Sequence, residues 1–388
     1  MALFDFLSKK QKVELPTQRQ TENPTVVSIN LQNSDFPKIK EVKNKDWVNF
    51  GVDNLYPEEL IDLYNSSAIH QSVLTQKSKM IAGNGYTYDD SALNELQKLE
   101  VNKMLKYFDN DKSIDTFLDL ISGDWELFGS ACVEIIWSKD FERVVQFKRV
   151  KPSYIRSGKM TDGRVENYYY SKDWSNVRNY PPTEIAAFDI NDKENYSQLI
   201  YIKKYSPATE YYGVPGYTSA LNWIKADAQI GVFHNMNITN GFNPGMAFHF
   251  TKRPSSIEER DIIVSELKKQ YSGARAAGKP LVFFSDGAEN KTTIDTIAPS
   301  DLDKQFTVIH EQIVTQICSA HRVVSSELFA IAVPGRLGNS DIGTAYNIFE
   351  STVIGPERRV IETLINDLFL LNKLSINFKL NPLNILEP

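Results

Sequence analysis

The segment Gly273-Ala-Arg-Ala-Ala-Gly278-Lys279 comes nearest to a catalytic motif in this sequence. It matches a phosphate-binding loop up to the position where Ser or Thr should follow, but Pro280 stands there instead. Such a loop follows a strand and opens a helix, so that backbone N–H groups and the helix dipole meet the phosphates. Here the order is reversed, because the segment follows a predicted helix and leads into a predicted strand. The pattern favours a structural turn, and a nucleotide site at Gly278 and Lys279 stays as the alternative.

The other residue types that could do chemistry show no site pattern. His310 and His321 are 11 residues apart on one predicted helix, not at the four-residue step of a zinc-binding helix. We expect both to lie on the helix surface or at an interface. Ser340 lacks the glycine-framed turn of a nucleophile elbow, and pairs such as Glu258 and Glu259 lie in first helical turns, where the helix dipole explains them. We predict no catalytic residue, no cofactor and no metal site.

Composition narrows the class of protein further. The 388 residues, 41% hydrophobic and 24% charged, are typical of a folded protein with two or three domains. A formal charge of -6 disfavours tight binding of nucleic acid phosphates. With only Cys132 and Cys318, a disulfide framework and a multi-thiol metal site are excluded, which predicts a reducing cytoplasm. No apolar run approaches the roughly 20 residues of a membrane span, so we expect that the protein is not secreted and does not span a membrane.

The first half of the chain predicts an arm followed by an α+β domain. Residues 1–48 are rich in Thr, Gln, Asn and Ser and are predicted to be a flexible arm. Residues 49–210 are predicted to form one domain that begins with helices and continues with strands. Apolar spacing and capping residues predict helices at 57–82, 90–108 and 113–128. Alternating patterns predict strands at 131–137, 144–150, 154–158, 166–171, 184–190 and 199–205.

The second half predicts long helices around a small αβ insert. A first helix over 217–240 would be roughly 36 Å long at 1.5 Å per residue. The insert is predicted as a strand at 242–250, a helix at 255–271 and strands at 281–285 and 291–297. A second helix starts at Pro299 and carries a narrow apolar seam that suits packing against neighbouring helices. The seam consists of Phe306, Ile309, Ile313 and Ile317.

A glycine-rich loop at 332–343 leads into a third long helix at 344–371. Gly335 and Gly338 allow mobility, while Arg336, Asn339 and Ser340 can contact a phosphate without recognising bases. A plain helix-helix connector is the alternative for this loop. The third helix contains Pro356, which should kink it, and a strand is predicted at 375–380.

Four segments, in this order and with these gaps, resemble the portal proteins of tailed bacteriophages, of the HK97/PBSX type. The segments are 211–250, 273–287, 313–331 and 347–368. The resemblance implies a portal-type α+β fold with a wing, two stem helices that flank a clip, a tunnel loop and a kinked wing helix. Its implied parts are a wing at 49–210, stem helices at 211–243 and 300–321, a clip at 244–299, a tunnel loop region at 322–343, the wing helix at 344–371, and a C-terminal strand or tail with a minimal crown at 372–388.

The resemblance also implies a non-enzymatic function. Such proteins form a ring, usually of twelve copies, at the unique capsid vertex; the terminase large subunit packages double-stranded DNA through it, and the head-tail adaptor and tail attach to it. The implied DNA-facing residues are Gly335, Arg336, Gly338, Asn339 and Ser340 of the tunnel loop. The implied contacts for terminase or adaptor are Lys268, Lys269 and Arg275, and the implied ring interface is the seam Phe306, Ile309, Ile313 and Ile317.

Further partners and the location follow from the same resemblance. Major capsid or scaffold protein would surround the ring, which belongs in the virion and, during assembly, in the host cytoplasm. The arm at 1–48 has no counterpart in the resemblance, and wrapping a neighbouring subunit or meeting capsid protein are both open for it. A nucleotide-using or hydrolytic enzyme built around Gly278 and Lys279 remains the alternative to a portal protein.

Overall fold

A computed structural model describes residues 36–109, 112–239, 246–250, 254–271, 281–284, 293–296, 302–329, 331 and 342–383. The chain divides into a unit at Met1–Ser34 and a unit at Asp35–Pro388, and every described residue belongs to the second. Its helices are α1 (Tyr56–Ser66), α2 (Ala68–Ala82), α3 (Glu95–Lys106), α4 (Ile114–Phe128), α5 (Leu221–Thr239), α6 (Ile257–Tyr271), α7 (Leu302–Ala320), α8 (Ile342–Phe349) and α9 (Gly355–Leu371).

The described residues also form strands, most of which follow one another between α4 and α5. They are β1 (Ile39–Glu41), β2 (Val48–Phe50), β3 (Tyr86–Thr87), β4 (Ser130–Trp137), β5 (Val144–Val150), β6 (Ile155–Ser157), β7 (Met160–Thr161), β8 (Arg164–Val165), β9 (Asn167–Tyr170), β10 (Thr183–Ala187), β11 (Ser197–Lys203), β12 (Met246–Phe250), β13 (Leu281–Phe284), β14 (Thr293–Thr296) and β15 (Lys379–Leu380). The predicted mixture of helices and strands is confirmed.

A six-stranded sheet forms the centre of the first half, in the order β5-β4-β11-β10-β9-β6. Its neighbours pair antiparallel except β10 and β11, which are parallel. Because side chains alternate along a strand, β4 places Val133 and Ile135 in the main core and Cys132 in a small cluster on the opposite face. Helix α4 covers the main-core face with Phe117 and Ile121, both fully buried.

A second core joins α1 and α2 to the two long helices. Ile224 of α5 and Ile313 and Ile317 of α7 have no exposed surface and pack with Leu60 and Leu74. Both long helices continue beyond this core, α5 toward its C-terminal end and α7 toward its N-terminal end. The insert between them contains α6 and a three-stranded sheet in which β12 is parallel to β13 and antiparallel to β14.

The single helix predicted over 57–82 is wrong, because the chain breaks at Ser67. Ser67 has an extended backbone, and its Oγ accepts a hydrogen bond from the backbone N of His70 at 3.2 Å, which caps α2. The same Oγ donates to Asp227 of α5 at 2.7 Å. A partner 160 residues away thus holds the cap, which no local pattern reveals. The helix predicted at 90–108 is also shorter, since Asn94 and Gln97 form a capping box that starts α3.

The predicted third helix contains a π-helical segment at Glu350–Ile354, between α8 and α9. Arg358, which is buried, pairs with the carboxylate of Glu350 and donates to the backbone O of Met80 at 2.7 Å, so it also caps the end of α2. Pro356 has no N–H, so it cannot complete an α-helical hydrogen bond to the backbone O of Thr352. The departure from α geometry therefore precedes the proline.

The secondary structure near both ends of the described chain differs from the predictions. Of the strand predicted at 375–380, only β15 forms, because the backbone N of Phe378 donates to Asn366 Oδ1 at 2.7 Å and its O accepts from Asn366 Nδ2 at 3.0 Å. Residues 36–48, predicted as flexible arm, contain β1 and the start of β2, where Val48 is fully buried. Residues 1–35 lie outside the described residues.

Candidate functional site

Most of the residues predicted for DNA and partner contacts lie outside the described residues. This holds for Gly335, Arg336, Gly338, Asn339 and Ser340, for Arg275, and for the Gly278-Lys279 pair. Lys268 and Lys269 lie within α6, and Phe306 lies within α7, but the structure describes only their backbone. Their roles stay predictions.

The apolar seam of α7 is divided between two environments. Ile313 and Ile317 are completely buried within the protomer, so their predicted role as ring-interface residues is corrected: they hold α7 against α2 and α5. Ile309 is 41% exposed and remains available to a neighbouring molecule. The sequence showed a single stripe because helical spacing identifies apolar positions. It does not show which of them pack inside their own protomer and which lie on its surface.

Four charged residues of separate elements meet in ion pairs and form the junction cluster, which consists of Lys77, Glu126, Lys204 and Glu357. Glu126 Oε2 lies 2.7 Å from Lys77 Nζ, and Glu126 Oε1 lies 2.6 Å from Lys204 Nζ. Lys204 also lies 3.2 Å from Glu357. The indole Nε1 of Trp125 donates to Glu357 at 2.6 Å. The cluster thus connects α2, α4, the end of β11 and α9.

The two ammonium groups control the charge of Glu126, whose side chain is only 2% exposed. Burial alone would raise the pKa of this carboxyl, but Lys204 and Lys77 hold the pKa well below its usual value. In turn Glu126 and Glu357 raise the pKa of Lys204 against the opposite effect of burial. Glu126 and Lys204 therefore keep their charges, and each buried charge of the cluster has a partner.

A buried histidine pair, His70 and His321, lies beside the junction cluster. His70 Nδ1 is 3.0 Å from His321 Nε2, and Tyr217 at the start of the first long helix stacks on His321 with ring centroids 4.9 Å apart. The prediction that His321 lies on the helix surface or at an interface is wrong, since it is 2% exposed. His310 is exposed as expected. The pair ties the end of α7 to α2.

Burial determines the protonation of the pair. It lowers the pKa of His70 to about 4, and it lowers the pKa of His321 well below the usual value, with further lowering from His70 and Lys77. One proton between the two facing ring nitrogens makes their hydrogen bond, and burial disfavours the charge that a further proton would add. The native pair is therefore neutral.

We expect the free energy of unfolding to fall as the pH decreases from 6.5 to 5. The unfolded histidines bind protons in this range and the native pair excludes them, so each contributes a slope of up to about 1.4 kcal/mol per pH unit. Urea denaturation at pH 7, 6 and 5 measures the slope. His321→Gln should reduce it, whereas Gln312→Ala, at an exposed position of α7 without a titratable group, should not. Equal slopes in all three proteins would contradict the role of the pair.

The end of α7 is closed by a Schellman motif in which Arg322 takes the left-handed conformation, with φ 60°. The backbone N of Arg322 donates to Ser319 O, and that of Val323 donates to Cys318 O, each at 2.9 Å. The Arg322 side chain then lies 3.5 Å from Thr352 O in the π-helical segment. The end of α7 is thereby directed toward the start of α9.

Residues on both sides of the stretch 332–341 are held together. Phe329 and Phe349 are buried and their rings meet edge to face at 5.6 Å. Ser72 Oγ of α2 donates to Phe329 O at 3.1 Å. Phe329 and Phe349, which flank the segment predicted as tunnel loop, therefore form one anchored position, and Ser72 attaches it to α2.

The sequence contained one signal for the junction cluster and the histidine pair. In α2, His70, Val73, Lys77 and Ile81 recur at three- to four-residue spacing, so two polar residues occupy the apolar stripe. A polar residue on a buried face needs a partner. The partner Glu126 is 49 positions away from Lys77 and could be identified only from the fold.

Comparison with known proteins gives the class. The sequence profile described as "Phage portal protein" matches residues 78–387, which is most of the 388 residues. A chain in the neck of an empty gene transfer agent (GTA) particle, computed with C6 symmetry, is 15% identical with a TM-score of 0.57 over 83% of both chains. One in the neck of the native GTA particle, computed with C12 symmetry, is 15% identical with a TM-score of 0.55 over 83% of this chain and 84% of that one.

An HK97 family phage portal protein from Corynebacterium diphtheriae is 10% identical, with a TM-score of 0.49 over 83% of this chain and 95% of that one. No curated protein matches the sequence significantly. The GTA neck chains share the fold of this protein.

The chain belongs to the phage portal protein family, because the family profile covers most of its length. The predicted portal-type α+β fold and the predicted identity as a portal protein are confirmed. The family gives no support to an enzyme built around Gly278 and Lys279. Among the described residues, no helix combines the length and the apolar character that crossing a membrane requires.

Proposed function

We propose that twelve copies of this portal protein form a ring whose central channel carries double-stranded DNA at the unique vertex of the capsid. The family match over residues 78–387 carries the proposal. The C12 symmetry used for the neck of the native GTA particle supports the number of copies. With 12 × -6, the ring has a formal charge of -72, and an acidic wall lets DNA slide because it does not hold phosphates firmly.

The exposed apolar residues of the long helices support contact between copies. Beyond the second core, Val232 of α5 is 59% exposed, and Val308 and Ile309 of α7 are 54% and 41% exposed. In α6, Ile257 and Ile262 are 72% and 62% exposed. Apolar groups on protruding elements favour burial against another molecule. A head-to-tail interface that closes into a ring would cover them in every copy.

The parts implied by the portal resemblance complete the proposal. The wing is 49–210, the stem helices are 211–243 and 300–321, and the clip is 244–299. Lys268, Lys269 and Arg275 of the clip would meet the terminase large subunit during packaging and the head-tail adaptor afterwards. Major capsid or scaffold protein would meet the outside of the ring, which assembles in the host cytoplasm and remains in the virion.

The tunnel loop is assigned to the glycine-rich stretch within 322–343. Arg336, Asn339 and Ser340 would face the DNA backbone, and Gly335 and Gly338 would give the loop its range of conformations. The anchored position at Phe329 and Phe349 supports this assignment, since a loop with both ends fixed can move without disturbing the core. The wing helix at 344–371 would carry the loop.

We expect the purified protein to form rings of about 530 kDa, from 12 × 44.2 kDa, with a central hole in negative-stain images. The double substitution Val308→Asp and Ile309→Asp should yield mostly free protomers, because it would place two charges in an apolar contact. Val52→Asp, at a 79% exposed position outside the long helices, is the matched control and should keep the ring. Mass photometry measures both.

Two outcomes would contradict different parts of the proposal. Rings that persist in the double variant would show that Val308 and Ile309 are not interface residues. A wild-type protein that stays monomeric and hydrolyses ATP would reject the portal channel itself and restore the alternative at Gly278 and Lys279.

A further inference from the structure

Helix α3 has apolar residues on two opposite faces. Val101 and Leu105 are 0% and 5% exposed and attach the helix to the main core. Leu96 and Leu99 are 80% and 68% exposed, and Tyr107, directly after the helix, is 53% exposed. The first face is explained by the fold of this chain, while the second is not covered by any described residue.

The exposed residues form one stripe. Successive residues of a helix are rotated by roughly 100° about its axis. If the helix is continued by one residue, an arc of about 80° contains Leu96, Leu99, Lys103 and Tyr107. The centre of this arc lies opposite the buried face of Val101 and Leu105. Leu96, Leu99 and Tyr107 thus place apolar surface on one face, with the aliphatic stem of Lys103 between them, and apolar surface along one face is the pattern by which one helix packs along another. Single exposed leucines are common on protein surfaces, but an aligned series is not.

A groove continues the stripe at its C-terminal end. It has a volume of about 230 Å³ and lies between the end of α3 and β5, which is an edge strand of the six-stranded sheet. Tyr107 and Val145 line it, and Val145 is 56% exposed. A cavity of about 150 Å³ can admit benzene, so this groove has room for one large apolar side chain.

The charges around the stripe select the partner. Lys103 and Lys106 stand in the last turn of α3, and among the described residues neither makes an ion pair. The Lys106 ammonium lies 5.3 Å from the Tyr107 ring centroid, beside the groove. At the other end, Glu95 already pairs with Lys98 at 3.4 Å. A partner with carboxylates near the groove would complement this face.

We propose that this surface, the α3 docking face of Leu96, Leu99, Lys103, Lys106, Tyr107 and Val145, binds an amphipathic helix of another protein. The apolar stripe of that helix covers the two leucines and places one large side chain in the groove. Its acidic residues lie at the end that meets Lys103 and Lys106. The recognition is of the helix-in-groove kind, in which a few apolar anchors carry the affinity.

Two synthetic 18-residue peptides of identical composition, built from Leu, Ala, Glu and Gln, test the proposal with the full-length protein. One has leucines at i, i+3, i+4 and i+7 with glutamates at one end, and the other has the same residues scrambled around the helix. Fluorescence anisotropy should show that the ordered peptide binds at least 10-fold more tightly. Leu99→Glu should weaken binding of the ordered peptide about 10-fold, whereas Ile190→Glu, at a 54% exposed position elsewhere, should leave it unchanged.

Two further variants test the contribution of charge and control for a loss of folding. The double substitution Lys103→Glu and Lys106→Glu should weaken binding and reverse its dependence on salt concentration, because salt would then screen a repulsion. Leu99→Ala keeps the helix propensity of α3 and provides the same comparison if Leu99→Glu does not fold.

The proposal is overturned if both peptides bind equally, or if Leu99→Glu and Leu99→Ala both retain full affinity. It is also overturned if Leu96→Glu with Leu99→Glu prevents ring assembly, because the occupant of the face would then be a second copy of this chain. Rings that form normally in that variant and lose the ordered peptide support the proposal.

Discussion

Replacing Glu126 with leucine is expected to lower the free energy of unfolding by about 3 to 5 kcal/mol, because it leaves buried positive charge without its partner. Lys77, whose side chain is only 8% exposed, would lose its ion pair at 2.7 Å, the one it makes among the described residues. Lys204 would keep Glu357 at 3.2 Å. The substitution thus acts on α2 and α4 directly and on the base of the long helices through them.

A surface pair provides the matched control. Glu95→Gln removes a carboxylate that is 92% exposed and lies 3.4 Å from Lys98, and should change the free energy of unfolding by less than about 1 kcal/mol. Urea denaturation followed by tryptophan fluorescence measures both variants, since Trp125 touches the junction cluster. Equal effects of the two substitutions would show that Glu126 is not a structural centre.

A double variant separates the charge from the packing. Lys77→Met together with Glu126→Leu should be less destabilised than the sum of the two single variants, because it removes both members of the buried pair at once. If the effects add, the two residues do not depend on each other. Lys204 is unchanged in this comparison, so its contribution cancels.

Gly213→Ala is expected to lower the free energy of unfolding by about 3 kcal/mol, because the added methyl group has no space. A Cβ at Gly213 would lie 2.0 Å from the backbone O of Gly129, which ends α4 in the left-handed conformation. The same oxygen accepts a hydrogen bond from the backbone N of Lys204 at 2.7 Å. Relief of the clash would therefore disturb the chain on both sides of the junction cluster.

Gly216→Ala is the control, three positions further along the same segment. Its Cβ would meet no heavy atom within 4 Å, so the substitution should change the free energy of unfolding by less than about 0.5 kcal/mol. Thermal melting of the two variants compares them under one condition. A Gly213→Ala protein as stable as Gly216→Ala would show that the backbone approach at Gly129 relaxes freely.

The elements with strong apolar periodicity could be predicted from the sequence. Helix α4 forms over 114–128 against a prediction of 113–128, and α7 over 302–320 against a predicted start at Pro299. Their buried residues recur at helical spacing, and that spacing depends only on neighbours along the chain. The order of long helix, αβ insert and long helix followed in the same way, and it carried the portal resemblance.

Interruptions of these elements could not be predicted. The chain breaks at Ser67 because Asp227, 160 positions away, accepts a hydrogen bond from its side chain. The π-helical segment at Glu350–Ile354 is held by Arg358, which reaches the end of α2. Both depend on partners that are close only in the folded chain, and local propensity contains no information about them.

The family of the protein and the order of its helices and strands could therefore be predicted from the amino-acid sequence, because they depend on residue spacing and on the order of segments. Tertiary packing determined which residues of α7 are buried. Ile309 and Ile313 are the same residue type on the same apolar stripe, and they differ only in whether other helices of the protomer pack against them. The junction cluster was decided in the same way. Lys77, Glu126 and Lys204 come from separate elements, and burial makes their charges depend on one another only once those elements meet.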